Sequence, residues 1–187
     1  MNATRTRAAR SCCAEPGATA DAERRHVLPD VLEAGLRIVF CGTAAGAVAA
    51  RVGAPYAGPG NGFWWVLHEV GLTPCVLEPG RFRELPRYAI GLTDVAKFTS
   101  GSDASLARCD FDPAAVIAKV ERYEPAILAF VGKRAAQEVL GVPVEYGPQG
   151  VKIGASAVWV VPSTSGAARG TWGLGPWRAL AAATASE

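Results

Sequence analysis

The chain has 187 residues, of which half are hydrophobic and 19% are charged, enough for one folded domain with a sizeable core. Its net charge of +2 disfavours a protein that binds nucleic acid through a strong overall positive field, although a local basic patch remains compatible with it. Its apolar runs are all shorter than the roughly 20 residues that cross a bilayer, so no membrane partner is expected.

Residues 1–26 mix alanine, arginine and acidic residues, without the apolar stretch of a signal peptide. We predict a disordered tail over residues 1–26, a single domain over residues 27–187, and a cytoplasmic location, nucleoid-associated if the protein is bacterial. The five cysteines are odd in number and lack Cys-x-x-Cys spacing, so we expect reduced thiols, with no metal and no cofactor.

Apolar strand patterns alternate with helical patterns along the chain. The predicted strands cover residues 36–41, 90–95, 126–131 and 157–161, with a short segment 151–153 pairing beside the last of them. The predicted helices cover residues 61–70, 112–123, 133–140 and 176–184. This alternation predicts an α/β fold, a three-layer α/β/α sandwich with a mainly parallel central sheet.

Three loops should meet at one edge of such a sheet, where ligands bind in open α/β folds. The first is Gly42-Thr43-Ala44-Ala45-Gly46, which offers backbone N–H groups but lacks the Lys-Ser/Thr of a phosphate-binding loop. It is either a ligand-binding loop or a tight turn from strand to helix. The second loop follows Asp94, a carboxylate that either activates water or stabilises a developing cation, or that caps a turn.

The third loop is Pro162-Ser163-Thr164-Ser165-Gly166-Ala167-Ala168-Arg169, whose hydroxyls, small residues and arginine suit phosphate contact and insertion into a base stack. Ser165 is not expected to be a hydrolase nucleophile, because neither of the two histidines is placed for a triad and no Gly-x-Ser-x-Gly elbow is present. A further candidate is Tyr56, which lies among prolines and glycines and is either a stacking platform for a planar ligand or a surface aromatic.

Together these segments resemble the mismatch-specific uracil/thymine DNA glycosylases, a family within the uracil-DNA glycosylase superfamily. The likeness runs from about Val31 to Arg169. It rests on residues 31–42, on Asn61-Gly62-Phe63-Trp64, on Val131-Gly132-Lys133 and on the segment that begins at Pro162. The resemblance implies a domain that flips a damaged base out of the DNA duplex and cleaves its N-glycosidic bond.

The resemblance also implies roles for individual residues. Tyr56 would stack on the flipped pyrimidine, and the backbone near Thr43 would hydrogen-bond the uracil edge. The implied substrate-binding residues are Gly42, Thr43, Ala44, Tyr56, Asn61 and Ser163. The implied DNA-binding residues are Lys133, Ser165, Gly166, Ala167, Ala168 and Arg169, of which the last four form the wedge that fills the vacated stack.

The chain departs from the family where catalysis is concerned. The usual first motif, Gly-Ile-Asn-Pro-Gly, carries an asparagine that positions water, and here that position is Ala44. Three interpretations follow. In the first, the catalytic role has moved to Asp94, and the protein is a monofunctional enzyme that works by dissociative cleavage, without a lysine nucleophile, and leaves an abasic site. In the second, the protein binds lesions and cleaves slowly or not at all. In the third, its substrate is a different nucleic acid or a nucleoside.

The second motif, usually Pro-Asn-Pro-Ser-Gly, has Ser163 and Thr164 in place of its asparagine and second proline, and Ala167 replaces a larger apolar residue. The loss of bulky side chains predicts a wider pocket. We therefore expect activity beyond uracil opposite guanine, including uracil in single strands or opposite adenine. The expected partner is double-stranded DNA carrying uracil or a mismatch, with single-stranded DNA as a further candidate, bound by a monomer.

Overall fold

The computed structural model describes residues 25–166 and 173–184. Its centre is a five-stranded sheet with the order β2-β1-β3-β5-β4, in which every pair is parallel except β4 with β5. The strands are β1 (Ile38–Ala45), β2 (Ile90–Ser100), β3 (Ile127–Val131), β4 (Gly147–Ile153) and β5 (Ser156–Val161).

Five helices accompany the strands within the described residues. They are α1 (Ala47–Val52), α2 (Phe63–Glu69), α3 (Pro113–Tyr123), α4 (Lys133–Leu140) and α5 (Gly175–Thr184). A 3₁₀ segment covers Pro79–Tyr88. The sequence patterns did not predict α1 or the 3₁₀ segment. Helix α1 is short and follows a run of small residues that have no amphipathic period.

Two apolar cores lie on opposite faces of the sheet, which confirms the predicted α/β class with its mainly parallel central sheet. On one face, Phe40 of β1 packs against Phe63 of α2 and Trp177 of α5, with ring centroids 5.4 Å from Phe40 in both cases. On the other face, Val39 and Leu128 belong to a second cluster, which also contains buried residues of α3 and α4.

The first two strands are longer than the sequence patterns predicted. Residues 42–45, predicted as a loop, continue β1, and Asp94 lies within β2 rather than at its end. Both strands continue because they pair with each other: Gly42 pairs with Asp94, and Ala44 pairs with Ala96, in the parallel ladder. Small residues are typical of loops, but here hydrogen bonding to a neighbouring strand outweighs that local preference.

The described residues begin just before the point where the domain was predicted to start. The ring of His26 packs edge-on against Phe98, and the Val27 backbone N–H donates to the Lys97 carbonyl at 2.8 Å. The rest of the predicted tail lies outside the described residues, as do Ala167, Ala168 and Arg169. In the part of the chain that is described, no helix has the length and apolarity needed to span a membrane.

The tight packing of Gly91 in β2 gives a first test of the fold. A methyl group on Gly91 would lie 2.6 Å from the Val31 carbonyl oxygen and 2.7 Å from Leu36 Cδ1. We expect Gly91→Ala to lower the free energy of unfolding by about 1–3 kcal/mol through overpacking, as measured by urea denaturation. The control is Gly80→Ala, where an added Cβ meets no atom within 4 Å. Equal stability of the two variants would contradict this packing.

Candidate functional site

A cavity of about 600 Å³ opens at the carboxyl ends of the parallel strands, a size typical of small-molecule sites. It brings together most of the predicted site residues, which lie far apart in the sequence. The predicted residues that line it are Gly42, Thr43, Ala44, Tyr56, Asn61, Asp94, Ser163, Ser165 and Gly166. The sequence-based expectation that three segments meet at this edge therefore matches the arrangement in the structure.

Asp94 and Gly42 are in direct contact at this edge of the sheet. They are paired across β1 and β2, and an ideal Cβ built on Gly42 would lie 2.5 Å from Asp94 Oδ1. The same Cβ would lie 3.1 Å from the Tyr56 hydroxyl oxygen. Glycine is therefore required at position 42, because any side chain there would displace the carboxylate, the tyrosine or both.

Burial sets the electrostatics of Asp94. Burial raises the pKa of the Asp94 carboxyl above its ordinary value, and the Lys97 ammonium lowers that pKa in part. The distance between Lys97 Nζ and Asp94 Oδ2 is 3.7 Å, and the lysine side chain is only 5% exposed. A carboxyl whose pKa has been moved towards neutrality inside a cavity is a common property of functional sites.

Lys97 belongs to a buried polar network that sequence reasoning missed. Its ammonium lies 2.9 Å from Asp30 Oδ1, while Lys119 Nζ lies 2.7 Å from Asp30 Oδ2. The Thr93 hydroxyl donates to Asp30 at 2.8 Å. Burial alone would raise the pKa of Asp30, but Lys97 and Lys119 lower it overall. The signal that could have revealed the network is the spacing of Asp94 and Lys97, two opposite charges three residues apart within one strand.

Tyr56 places one face of its ring against the protein. The ring stacks on Phe63 with centroids 3.8 Å apart and planes 12° from parallel. Among the described residues, its hydroxyl is the buried side-chain group that has no hydrogen-bond partner. Burial, and secondarily the charge of Asp94, raises the pKa of this hydroxyl well above its usual value, so it remains a protonated donor. The Tyr56 hydroxyl can therefore donate a hydrogen bond to a polar group in the cavity.

Strand β1 presents backbone groups to the cavity. Its ladder with β3 ends at Cys41, whereas its ladder with β2 continues to Ala45. Beyond Cys41, the side of β1 that faces β3 therefore pairs with no strand of the described residues. Gly42, Thr43 and Ala44 all line the cavity. Backbone N–H and C=O groups along such an edge can pair with the polar edge of a planar ligand.

Hydrogen bonds join the segment around Asn61 to the loop after β5. Asn61 Oδ1 accepts from the Phe63 N–H and from the Thr164 hydroxyl, both at 3.0 Å, and the Gly62 N–H donates to the Thr164 carbonyl at 2.9 Å. Both hydrogen bonds of this oxygen are internal, and the substrate-binding role of Asn61, which lines the cavity, stays a prediction.

The loop after β5 has two further supports. The indole N–H of Trp177 donates to the Pro162 carbonyl at 3.2 Å, which fixes the start of the loop. The Ser165 N–H approaches Ser163 Oγ at 3.4 Å, so the Ser163 hydroxyl turns back on its own loop. Thr164, which replaces the second proline of the resembled motif, is buried and supplies the hydroxyl that reaches Asn61.

Lys133, predicted to bind DNA, begins α4 but does not line the cavity. Its ammonium pairs with Glu145 at 2.7 Å and lies 4.9 Å from the centre of the Tyr146 ring. The described residues that line the cavity include no lysine, arginine or histidine. Nor do the described residues contain a group of three or more His, Cys, Asp or Glu side chains arranged to hold a metal ion.

Comparison with known proteins assigns the chain to a superfamily. The model of the uracil DNA glycosylase superfamily matches residues 29–183, which is most of the chain. The chain belongs to the uracil DNA glycosylase superfamily. Its fold is also similar to the solution NMR structure of a Methanosarcina acetivorans protein described as a candidate uracil DNA glycosylase. That match has a TM-score of 0.58 and 19% identity, covering 87% of this chain and 98% of the other.

Membership of this superfamily supports a DNA glycosylase role with DNA as the partner. The fold of the Methanosarcina acetivorans protein agrees with the mostly parallel sheet and flanking helices seen here. The cavity lies where the carboxyl ends of the parallel strands meet, the place where ligands bind in open α/β folds.

The hydrogen bond between Asn61 and Thr164 can be tested as a coupling. We expect Asn61→Ala and Thr164→Val together to cost less stability than the sum of the single substitutions. The expected coupling is about 0.5–1.5 kcal/mol, because either substitution alone already removes the bond. Urea denaturation of the two single variants and the double variant measures it. Strict additivity would show that the two loops are not joined by this contact.

Proposed function

We propose that the protein is a monofunctional uracil-DNA glycosylase, which hydrolyses the N-glycosidic bond of uracil flipped out of DNA, notably from G:U mismatches. The observation that carries this proposal is Asp94, a partly buried carboxylate, 17% exposed, that lines the cavity beside Gly42 and Tyr56. Superfamily membership supports the reaction class, and the cavity supplies a place for the base.

The chemistry of the cavity suits a neutral heterocycle. Its described walls carry no cationic side chain, whereas they do carry an aromatic ring, hydroxyl groups and the open edge of β1. Tyr56 would stack on the flipped base with the ring face that Phe63 leaves uncovered. The backbone of Gly42 to Ala44 would pair with the polar edge of the pyrimidine.

Asp94 would act on the sugar rather than on the base. In a dissociative cleavage, the bond between sugar and base breaks first, and the deoxyribose becomes an oxocarbenium-like cation. A carboxylate nearby stabilises that cation and orients the water that attacks it. The departing uracil carries negative charge, which backbone N–H donors would stabilise. Water then completes the hydrolysis and leaves an abasic site.

We further propose a broad substrate range that includes uracil in single strands and opposite adenine. Ala44 lines the cavity where the resembled family has an asparagine, so the pocket is less restricted at this point. In a protein with a wider pocket, the choice of substrate depends less on which base lies opposite the uracil. Flipping costs least from single strands and mismatches, which favours those substrates.

The second candidate function is a lesion-binding protein without significant catalysis. The methyl group of Ala44 favours it, because a methyl group cannot position or activate water. The two functions differ in one measurement. A single-turnover assay on a labelled U·G duplex, followed by alkali to break abasic sites, detects cleavage directly and yields no product for a protein that only binds.

Asp94→Asn is the substitution that tests the proposed chemistry. We expect the single-turnover rate to fall by about 10²–10⁴-fold, because the amide keeps the shape of the carboxylate but loses its charge and basicity. The matched control is Asp103→Asn, which changes an exposed carboxylate that lines the same cavity and should leave the rate nearly unchanged. Survival of the rate within a few-fold in Asp94→Asn would remove Asp94 from the mechanism.

Tyr56 is tested by a pair of substitutions. We expect Tyr56→Ala to weaken binding of DNA with a flipped-base analogue by about 1–3 kcal/mol, the usual value of stacking on one base. Tyr56→Phe keeps the ring and should retain most of that affinity. Fluorescence anisotropy measures both. Unaltered affinity in Tyr56→Ala would reject the stacking role, and an equal loss in both variants would transfer the contribution to the hydroxyl group.

A further inference from the structure

The two oxygens of the Asp94 carboxylate have different neighbours. Oδ2 lies 3.7 Å from Lys97 Nζ, while Oδ1 lies 2.5 Å from the place that a Cβ on Gly42, a residue of the cavity wall, would occupy. Lys97 itself does not line the cavity, so it cannot reach a ligand there. Its influence on chemistry in the cavity would have to pass through Asp94.

Lys97 is held in place from the other side. Asp30 binds the Lys97 ammonium at 2.9 Å and is itself fixed by Lys119 at 2.7 Å and by the Thr93 hydroxyl at 2.8 Å. Two carboxylates and two ammonium groups thus alternate from the cavity to a smaller cleft of about 320 Å³, which is lined by Asp30 and Lys119. The formal charges of these four side chains sum to zero.

We infer that Lys97 is the positioning residue of the Asp94 carboxylate: its buried ammonium, anchored by Asp30, holds Oδ2 at the rear and leaves Oδ1 on the cavity side. Lys97 also keeps Asp94 in its charged form. A buried carboxylate without a nearby cation takes up a proton, and a protonated Asp94 can neither stabilise a cationic sugar nor accept a proton from water.

The groups that face Asp94 come from several elements. Lys97 belongs to the same strand, Asp30 to the segment before β1 and Lys119 to α3. Cys41 is a core residue of β1, and Tyr56 belongs to the cavity wall. Burial raises the pKa of Asp94, and Lys97 and Lys119 lower it while Asp30 raises it. Removal of the Lys97 charge must therefore raise this pKa further, and removal of the Asp30 charge must lower it.

The inference rests on the proposed function and predicts a displaced pH profile. Because the carboxylate is the active form, the excision rate falls as the pH drops through the pKa of Asp94. In Lys97→Met, we expect this acid limb to move upward by about 1–3 pH units, the usual effect of removing a close opposite charge. The rate should recover towards that of the unsubstituted protein at alkaline pH, and Lys97→Arg should restore most of the profile.

The measurements are single-turnover rates on the U·G duplex across pH and a ¹³C NMR titration of the Asp94 carboxyl, assigned by its absence in Asp94→Asn. A lowered melting temperature with an unmoved acid limb and an unmoved NMR titration would confine Lys97 to stability and overturn the inference. If Lys97→Met fails to fold, Asp30→Asn takes its place. In that variant, the acid limb of the excision rate and the NMR titration of Asp94 must both move to lower pH. An immobile titration in that variant also overturns the inference.

The two proposals fail in different ways. Inactivity of the unsubstituted protein on every uracil substrate would remove the proposed function. The NMR titration of Asp94 does not require turnover, so it still decides whether Lys97 controls this carboxyl. The converse result is an active protein in which Lys97→Met leaves the acid limb of the rate and the NMR titration of Asp94 unmoved. That result would retain the proposed function and overturn only the inference.

Discussion

The contact between the Asp94 carboxylate and the backbone of Gly42 is the constraint on which the site depends. A charge that is largely withdrawn from water is costly unless a partner offsets its lost hydration, and Lys97 is that partner. Lys97 is buried in turn and needs Asp30, which needs Lys119. The carboxylate of Asp94 at the cavity thus requires a chain of oppositely charged side chains behind it, from Lys97 through Asp30 to Lys119.

The sheet topology explains why the cavity forms where it does. Strand β1 is an inner strand of the sheet, yet its last residues extend beyond their pairing with β3, and among the described strands they pair with β2 alone. The gap that this leaves is closed from the sides by the segment around Asn61 and by the loop after β5, which hydrogen-bond each other. The cavity is therefore bounded by a strand edge and by two loops that support each other.

Much of this arrangement could be predicted from the sequence. The alternation of apolar strands with helical patterns was sufficient for the α/β class, and the rule that parallel strands end together was sufficient to group Gly42, Asp94 and Ser163. Those predictions rest on periodicity and topology, which a single sequence carries.

The remaining features depend on contacts between distant residues. Strand β1 continues through Gly42 to Ala45 because β2 pairs with it, and no local preference of these residues indicates that. Asp30 and Lys97 are 67 positions apart in the sequence, so their ion pair has no local pattern. The sequence shows Thr164 in place of a proline of the resembled motif, without indicating a contact for its hydroxyl. In the structure, this threonine supplies a hydroxyl that proline lacks, and this hydroxyl binds Asn61.

The position of Trp177 has a consequence for truncation of the chain before its last described helix. The Trp177 ring packs against Phe40 and against Phe63, the residue on which Tyr56 stacks, and its indole N–H donates to the carbonyl of Pro162. The last helix is thus an architectural support for the loop after β5, although it does not line the cavity. A chain truncated before Gly175 would keep every residue at the cavity wall and lose the anchor of one side of it.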